Sequence, residues 1–254
     1  MYKLQLNNIV KTFGEHTICD GININASSGE LVCLIGASGA GKSTLLRCIN
    51  LLEPIDDGKI LLDGQDIAVP GLDPQPIRAK VGIVFQSFNL FPHMDALSNV
   101  MLAPRRVYKK NRKQLVGEIT QLFERFGLKD QMHKYPDQLS GGQQQRVAIV
   151  RALAMKPEAM LFDEITSALD PQLVGEVLEV LLKLKEEGMT ILMATHEMNF
   201  AKKAADKICF LKDGRVLEEG SPDKIFSQSA KKETRSFLSS FYMFPTAKKS
   251  NNLV

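Results

Sequence analysis

Five short runs of apolar residues recur along the chain: LVCLI at 31–35, GIVF at 82–85, AMLF at 159–162, ILMA at 191–194 and ICFL at 208–211. Bounded by turn residues and set between helical stretches, they predict buried, largely parallel strands of an α/β layer. The N-terminal YKLQLNNI (2–9) and GININASSG (21–29) alternate apolar and polar positions instead, which predicts an antiparallel sheet edge laid on that core. A helix is marked after the third of these apolar runs. Asp170 and Pro171 supply an N-cap and a first-turn proline, Leu173, Val177, Val180, Leu181 and Leu184 form one apolar face, and Gly188 closes it. Between about 89 and 157, helical patterns such as RKQLVGEITQLFERFGL replace the strand pattern. This predicts an inserted helical subdomain over 89–157, within a core made of 1–88 and 158–244. The last ten residues, 245–254, are polar and aperiodic and read as a frayed or disordered tail.

Two helix starts look built for an anion. In GASGAGKST (36–44) an apolar strand runs into Gly36 and a helical pattern follows, the setting of a phosphate-binding P-loop. Backbone N–H groups around Gly36, Ser38, Gly39, Gly41 and Thr44 can hold phosphates. Lys42 adds a mobile charge toward the β/γ oxygens, and Ser43 offers a hydroxyl to Mg²⁺. The second start is HKYPDQLSGGQQQRVAIVRAL (133–153), where Ser140 is the N-cap and Gln143 stands in the capping-box position. Val147, Ala148, Val150, Ala152 and Leu153 then give an apolar side.

Three strand ends carry polar groups where parallel sheets bind ligands. Asp163 and Glu164 close AMLFDE, the first suited to Mg²⁺ through water and the second to orienting and deprotonating an attacking water. His196 follows ILMAT, within reach of a γ-phosphate, and Gln86 follows GIVF.

Composition narrows the reading only slightly. A length of 254 residues suits one large domain or a core with a subdomain. With 44% hydrophobic and 24% charged residues, the net charge of +3 is too small to argue for nucleic acid. Cys19, Cys33, Cys48 and Cys209 are widely spaced, without a C-x-x-C pair, and read as small buried residues in a reducing compartment. Every apolar run falls far short of the roughly 18 to 20 residues needed to span a bilayer. MYKLQLNNIVKTFG lacks an apolar export segment, so the chain is expected in the cytoplasm.

LSGGQQQR (139–146), set between the P-loop and LFDEITSALD (161–170), resembles the signature arrangement of ABC-transporter ATPase subunits, and the resemblance spans about residues 2–240. VFQSFNLFPHM (84–94), YPDQLSGGQQQRVAI (135–149), SALDP (167–171) and THEMNFA (195–201) further resemble the polar-amino-acid uptake branch of bacterial importers. The resemblance implies a P-loop NTPase (RecA-like) α/β core with an antiparallel β subdomain and an inserted α-helical subdomain, hydrolysing ATP with Mg²⁺.

It also implies two subunits packed head to tail, each ATP lying between one P-loop and the other chain's signature helix. On that pattern Ser140, Gly141, Gly142 and Gln143 serve the opposite nucleotide, and Asp170 belongs to a loop crossing the interface. Phe13 stacks on adenine, where tyrosine is commoner. Gln86 joins the Mg²⁺ site to the helical subdomain, and His196 is the switch histidine. The implied partners are a second ATPase subunit, a copy of this chain being the expected one, membrane permease subunits, and an extracytoplasmic amino-acid-binding protein acting through them. No nucleic acid is implied. The implied place is the cytoplasmic face of the bacterial inner membrane, peripherally attached. Long coiled coils or paired ATPase units, as in relatives acting on DNA or the ribosome, are absent.

Two positions depart from the pattern: Ile165 where proline is usual after the catalytic glutamate, and Val150 where alanine is usual. Neither removes a donor, acceptor or charge, so the expected effect is on packing, with catalysis intact. Phe88, Leu90, Phe91 and Met94 crowd after Gln86, and read either as a permease-docking surface or as core of the subdomain.

Overall fold

The alternating N-terminus becomes a long hairpin, β1 (Tyr2–Phe13) and β2 (His16–Ser27), with Leu4, Leu6, Ile9, Ile22 and Ile24 buried beneath it. The computed structural model describes residues 1–109, 111–228 and 230–241, so the tail expected at 245–254 lies outside the described residues. β3 (Leu31–Ile35), buried at every position, leads through a glycine-rich loop into α1 (Lys42–Ile49). β4 (Asp57–Leu62) then pairs with β1, and the two-residue β5 (Gln65–Asp66) pairs with β4. The N-terminal strands therefore form their own four-stranded sheet, ordered β2-β1-β4-β5, rather than the margin of the central one.

After α2 (Pro74–Lys80) and β6 (Val81–Val84), three helices follow without an intervening strand: α3 (Ala96–Val107), α4 (Arg112–Arg125) and α5 (Gly141–Leu153). Asp95 and Asn111 cap the first two through their side chains. The chain then resumes its α/β rhythm with β7 (Ala159–Asp163), α6 (Pro171–Glu186), β8 (Thr190–Ala194), α7 (Met198–Ala204) and β9 (Lys207–Lys212). The described residues close with β10 (Arg215–Gly220), α8 (Pro222–Ile225) and α9 (Lys232–Ser239).

The central sheet is ordered β10-β9-β3-β8-β7-β6, parallel except for β10 at one edge. Its five parallel strands are the five apolar runs of the sequence, and the reason for their continuity is visible in the packing. Alternate residues of one strand enter different cores. Leu31, Cys33, Ile35, Met160, Phe162, Ile191 and Met193 face the helices α3 to α6, while Val32, Leu34, Leu161, Leu192 and Cys209 face α1 and the four-stranded sheet. The α/β P-loop architecture with an antiparallel sheet and a helical portion is thus as the sequence predicted. Cys19, Cys33, Cys48 and Cys209 are free and buried. Burial pushes the Cys19 thiol up to about 11 and those of Cys33 and Cys48 up to about 12. Among the described residues no helix is long and apolar enough to cross a membrane.

Candidate functional site

The C-terminal ends of β3, β7 and β8 lie side by side, since Leu34 and Asp163 are both in register with Ala194. The chain leaving β3 turns at Gly36 and Gly41, with φ of 151° and 95°. A methyl group on Gly36 would sit 2.3 Å from the Leu211 carbonyl oxygen, and one on Gly41 would sit 2.6 Å from that of Ile18, so glycine is required at both. Gly41 is the N-cap of α1 and supplies no side chain to its first N–H groups, while Ser38 and Gly39 are exposed above it. Thr44 is half-buried in the first turn. Lys42 is buried, its Nζ donating to the carbonyl oxygens of Gly36 (3.0 Å) and Ala37 (3.1 Å) and lying 3.3 Å from Glu164 Oε1.

Asp163 ends β7 and accepts a hydrogen bond from Ser43 Oγ at 2.6 Å. Burial raises its carboxyl above the usual value, and the neighbouring Glu164 charge adds to this. The Ser43 hydroxyl, Arg47 and Lys42 pull the other way. Glu164 adopts φ of 49°, a left-handed conformation uncommon outside glycine, and its N–H donates to the Ala194 carbonyl at 3.0 Å. That turn throws the carboxylate back across the strand ends, where Oε1 lies 2.9 Å from His196 Nε2. Thr195, fully buried, accepts the Glu197 N–H and so fixes the turn that carries His196.

Gln86 is exposed on the wall of a cleft of about 380 Å³, which Ser43, Arg47, Asn89 and Asp163 also line. Lys42, Ser43, Gln86, Asp163, Glu164 and His196 are therefore gathered at one edge of the sheet. Phe13 lies near this edge, at the closed end of the β1–β2 hairpin: it pairs with His16, and Ile18 two residues further on touches Gly41. Its ring is exposed, with Lys11 Nζ 4.9 Å from the centroid.

The second helix start is not part of that gathering. Ser140 caps α5 reciprocally with Gln143: its Oγ accepts the Gln143 N–H at 3.2 Å, and its own N–H donates to Gln143 Oε1 at 3.0 Å. Ser140 is exposed, Gly141 packs near Leu169 and Phe88, and the buried Gly142 packs against Leu173. Asp170 stands at the N-cap of α6 as expected, yet its exposed carboxylate makes no capping hydrogen bond. Among the described residues no hydrogen bond or ion pair joins Ser140–Gln143 to the loop at 36–44. Ile165 and Val150 are fully buried in the helix-side core. Leu90 packs against the same core, whereas Phe91 is 41% exposed.

Two residues that sequence reasoning passed over tie these regions together. Gln145, fully buried on α5, donates from Nε2 to the Phe85 carbonyl at 3.3 Å. Arg151, six residues on, donates to the carbonyls of Asn89 (2.6 Å) and Phe88 (3.1 Å). Gln86 thus sits in a loop hung from the same helix whose start is Ser140. A buried glutamine inside an amphipathic helix was the available signal, since such a group must find a partner.

A family model described as ABC transporter matches residues 19–167. The glutamine transport ATP-binding protein GlnQ of Bacillus subtilis (strain 168) is 47% identical over 236 residues, covering 93% of this chain and 98% of its own length. The glutamate transport ATP-binding protein GluA of Corynebacterium glutamicum is 48% identical over 235 residues, covering 92% and 97%. Among solved structures, the dimeric structure of MJ0796, a bacterial ABC transporter cassette, is similar with a TM-score of 0.78 and 37% identity over 86% of this chain and 98% of that one. A dimeric post-hydrolysis state of the same cassette, bound to ADP and Pi, is similar with a TM-score of 0.75 and 36% identity over the same shares.

Proposed function

The chain belongs to the ABC transporter family as an ATP-binding, ATP-hydrolysing subunit, and from that premise we propose how its residues divide the work of driving amino-acid import. Cassettes of this family bind ATP and ADP, form dimers and act with membrane permeases. In our reading the loop N–H groups from Gly36 to Thr44 and the Lys42 ammonium hold the phosphates, and Phe13 stacks on the adenine. Glu164 accepts a proton from the water that attacks the γ-phosphorus, and His196, hydrogen-bonded to it, fixes the carboxylate's direction.

The donor set suits Mg²⁺. Ser43 Oγ and Asp163 Oδ1 are hard oxygen ligands 2.6 Å apart, and Gln86 lines the same cleft. Among the described residues no group of three or more His, Cys, Asp or Glu side chains is placed to cage a metal, which agrees with an ion that completes its shell from phosphate and water. Such an ion would neutralise charge on the phosphate oxygens, and Ser43, Asp163 and Gln86 would position it.

A single observation carries the reading of a shared site: the catalytic carboxylate and histidine lie beside one helix start, while the other is closed on itself and faces outward. Ser140, Gly141, Gly142 and Gln143 then serve nucleotide on a second subunit, for which a copy of this chain suffices, and Asp170 lies at the seam. Names of similar proteins include glutamine, glutamate and arginine transport, which supports a polar amino acid as cargo. A permease at the inner membrane and an extracytoplasmic binding protein complete the importer in this reading.

The test mixes two inactive variants, Lys42→Ala and Ser140→Arg. In a mixed dimer the intact P-loop of the second meets the intact signature of the first, making one whole site. ATPase activity should reappear on mixing, together with ATP-driven dimerisation. If mixed dimers form and neither readout recovers, Ser140 has no role across the interface.

A further inference from the structure

Aromatic rings form a line from the central sheet to the active-site histidine. Phe210, on β9, is buried, and its ring centroid lies 5.1 Å from that of Phe237 on α9. Phe237 lies 5.1 Å from Phe241 in an edge-on arrangement, and Phe241 is stacked on the imidazole of His196 at 6.4 Å, with only 22° between the planes. These separations fall in the range where ring pairs attract.

The helix that delivers Phe241 is firmly moored. Thr234 Oγ1, fully buried, donates to Glu218 Oε2 on β10 at 2.6 Å, and the same oxygen accepts the Lys231 N–H at 2.8 Å. Lys231 Nζ reaches the Leu217 carbonyl, Leu238 is buried, and the Phe241 N–H donates to the Leu238 carbonyl at 3.1 Å. The mooring lies on the edge strand of the sheet, and its far end lies over the catalytic edge.

We propose that Phe241 is a positioning residue for hydrolysis, its ring holding the His196 imidazole in the plane from which Nε2 meets Glu164. This rests on the reading of Glu164 and His196 given above. The His196 side chain is about one-third exposed, and among the described residues it makes a single hydrogen bond, to Glu164. One hydrogen bond leaves a histidine free to swing about its outer torsion, which is broad. A ring against its face removes that freedom. Phe241 is itself 42% exposed, so it contributes little to the core, and its contact with the histidine is what distinguishes it from Phe237.

The experiment uses the full chain. In proton NMR the imidazole C–H resonances of His196, assigned by their absence in His196→Gln, should carry a ring-current displacement that Phe241→Leu removes and Phe241→Tyr keeps. In ATPase assays Phe241→Leu should lower kcat about three- to tenfold, the size of one aromatic contact, while KM for ATP changes less than about twofold. Phe241→Tyr should restore kcat. Unmoved His196 resonances in Phe241→Leu would overturn the stack itself. A fall in melting temperature matching the fall in kcat, without rescue by tyrosine, would reduce Phe241 to a structural role. Full-rate hydrolysis by His196→Gln would overturn the role of the stack through the histidine, while the NMR readout still reports whether the rings touch.

Discussion

The two glycine-bearing helix starts of this chain have opposite designs. At α1 the N-cap is Gly41, left-handed and without a side chain, so the first N–H groups are uncapped by the protein, and buried charges of both signs lie beside them. At α5 the N-cap is Ser140, extended, exposed and closed on Gln143, with no carboxylate in the first turn. The positive end of the helix dipole is common to both. What differs is the company: α1 begins at Lys42, beside Glu164 and His196, while the start of α5 is bonded to itself. On the proposed reading, a helix end of the second kind meets nucleotide only on another subunit.

Changes at the two starts should separate these roles, the largest effect coming from the chemistry beside α1. Glu164→Gln keeps the shape and removes the base, so hydrolysis should fall by roughly 10²-fold or more while ATP affinity stays nearly unchanged. Turnover and nucleotide binding measured on one preparation decide this, and near-normal turnover would take Glu164 out of the mechanism. Next in size is Gly41→Ala, which forces an L side chain into a left-handed turn and against the Ile18 carbonyl. Urea unfolding without nucleotide should show a loss of roughly 2 kcal/mol. A neutral result would mean that the loop does not hold this turn in solution. The smallest effect belongs to Ser140→Ala, which removes a side-chain cap and should cost about 1 kcal/mol in the same assay. No loss there would mean that the reciprocal bonds with Gln143 do not form, and the contrast between the two starts would weaken.

How much of this could be read from the chain depended on the kind of contact. The parallel strands were legible because burial on both faces writes an uninterrupted apolar run, as at Val32, Cys33 and Leu34. β4 and β5 were not, since β5 is two residues long and β4 is only partly buried. At the site, residue spacing marked Lys42 and Ser43, and strand ends marked Asp163, Glu164 and His196. Which of these touch is a different matter. The bonds of Glu164 to Lys42 and His196 follow from the strand order β3-β8-β7, and no local pattern states that order. The same holds for Arg151, whose partners are backbone carbonyls 62 and 63 residues away, and for Phe241, which reaches His196 only because α9 folds back over the sheet.

The position of Lys42 bears on what an incoming phosphate must displace. Its ammonium is already matched by two carbonyl oxygens and a carboxylate, whereas the first N–H groups of α1 have no side-chain cap. A phosphate can meet those N–H groups first, and it gains the ammonium only by displacing some of its three contacts. On the proposed reading a nucleoside triphosphate brings a chain of oxygens that would take over the lysine ammonium and leave Glu164 without its ion pair.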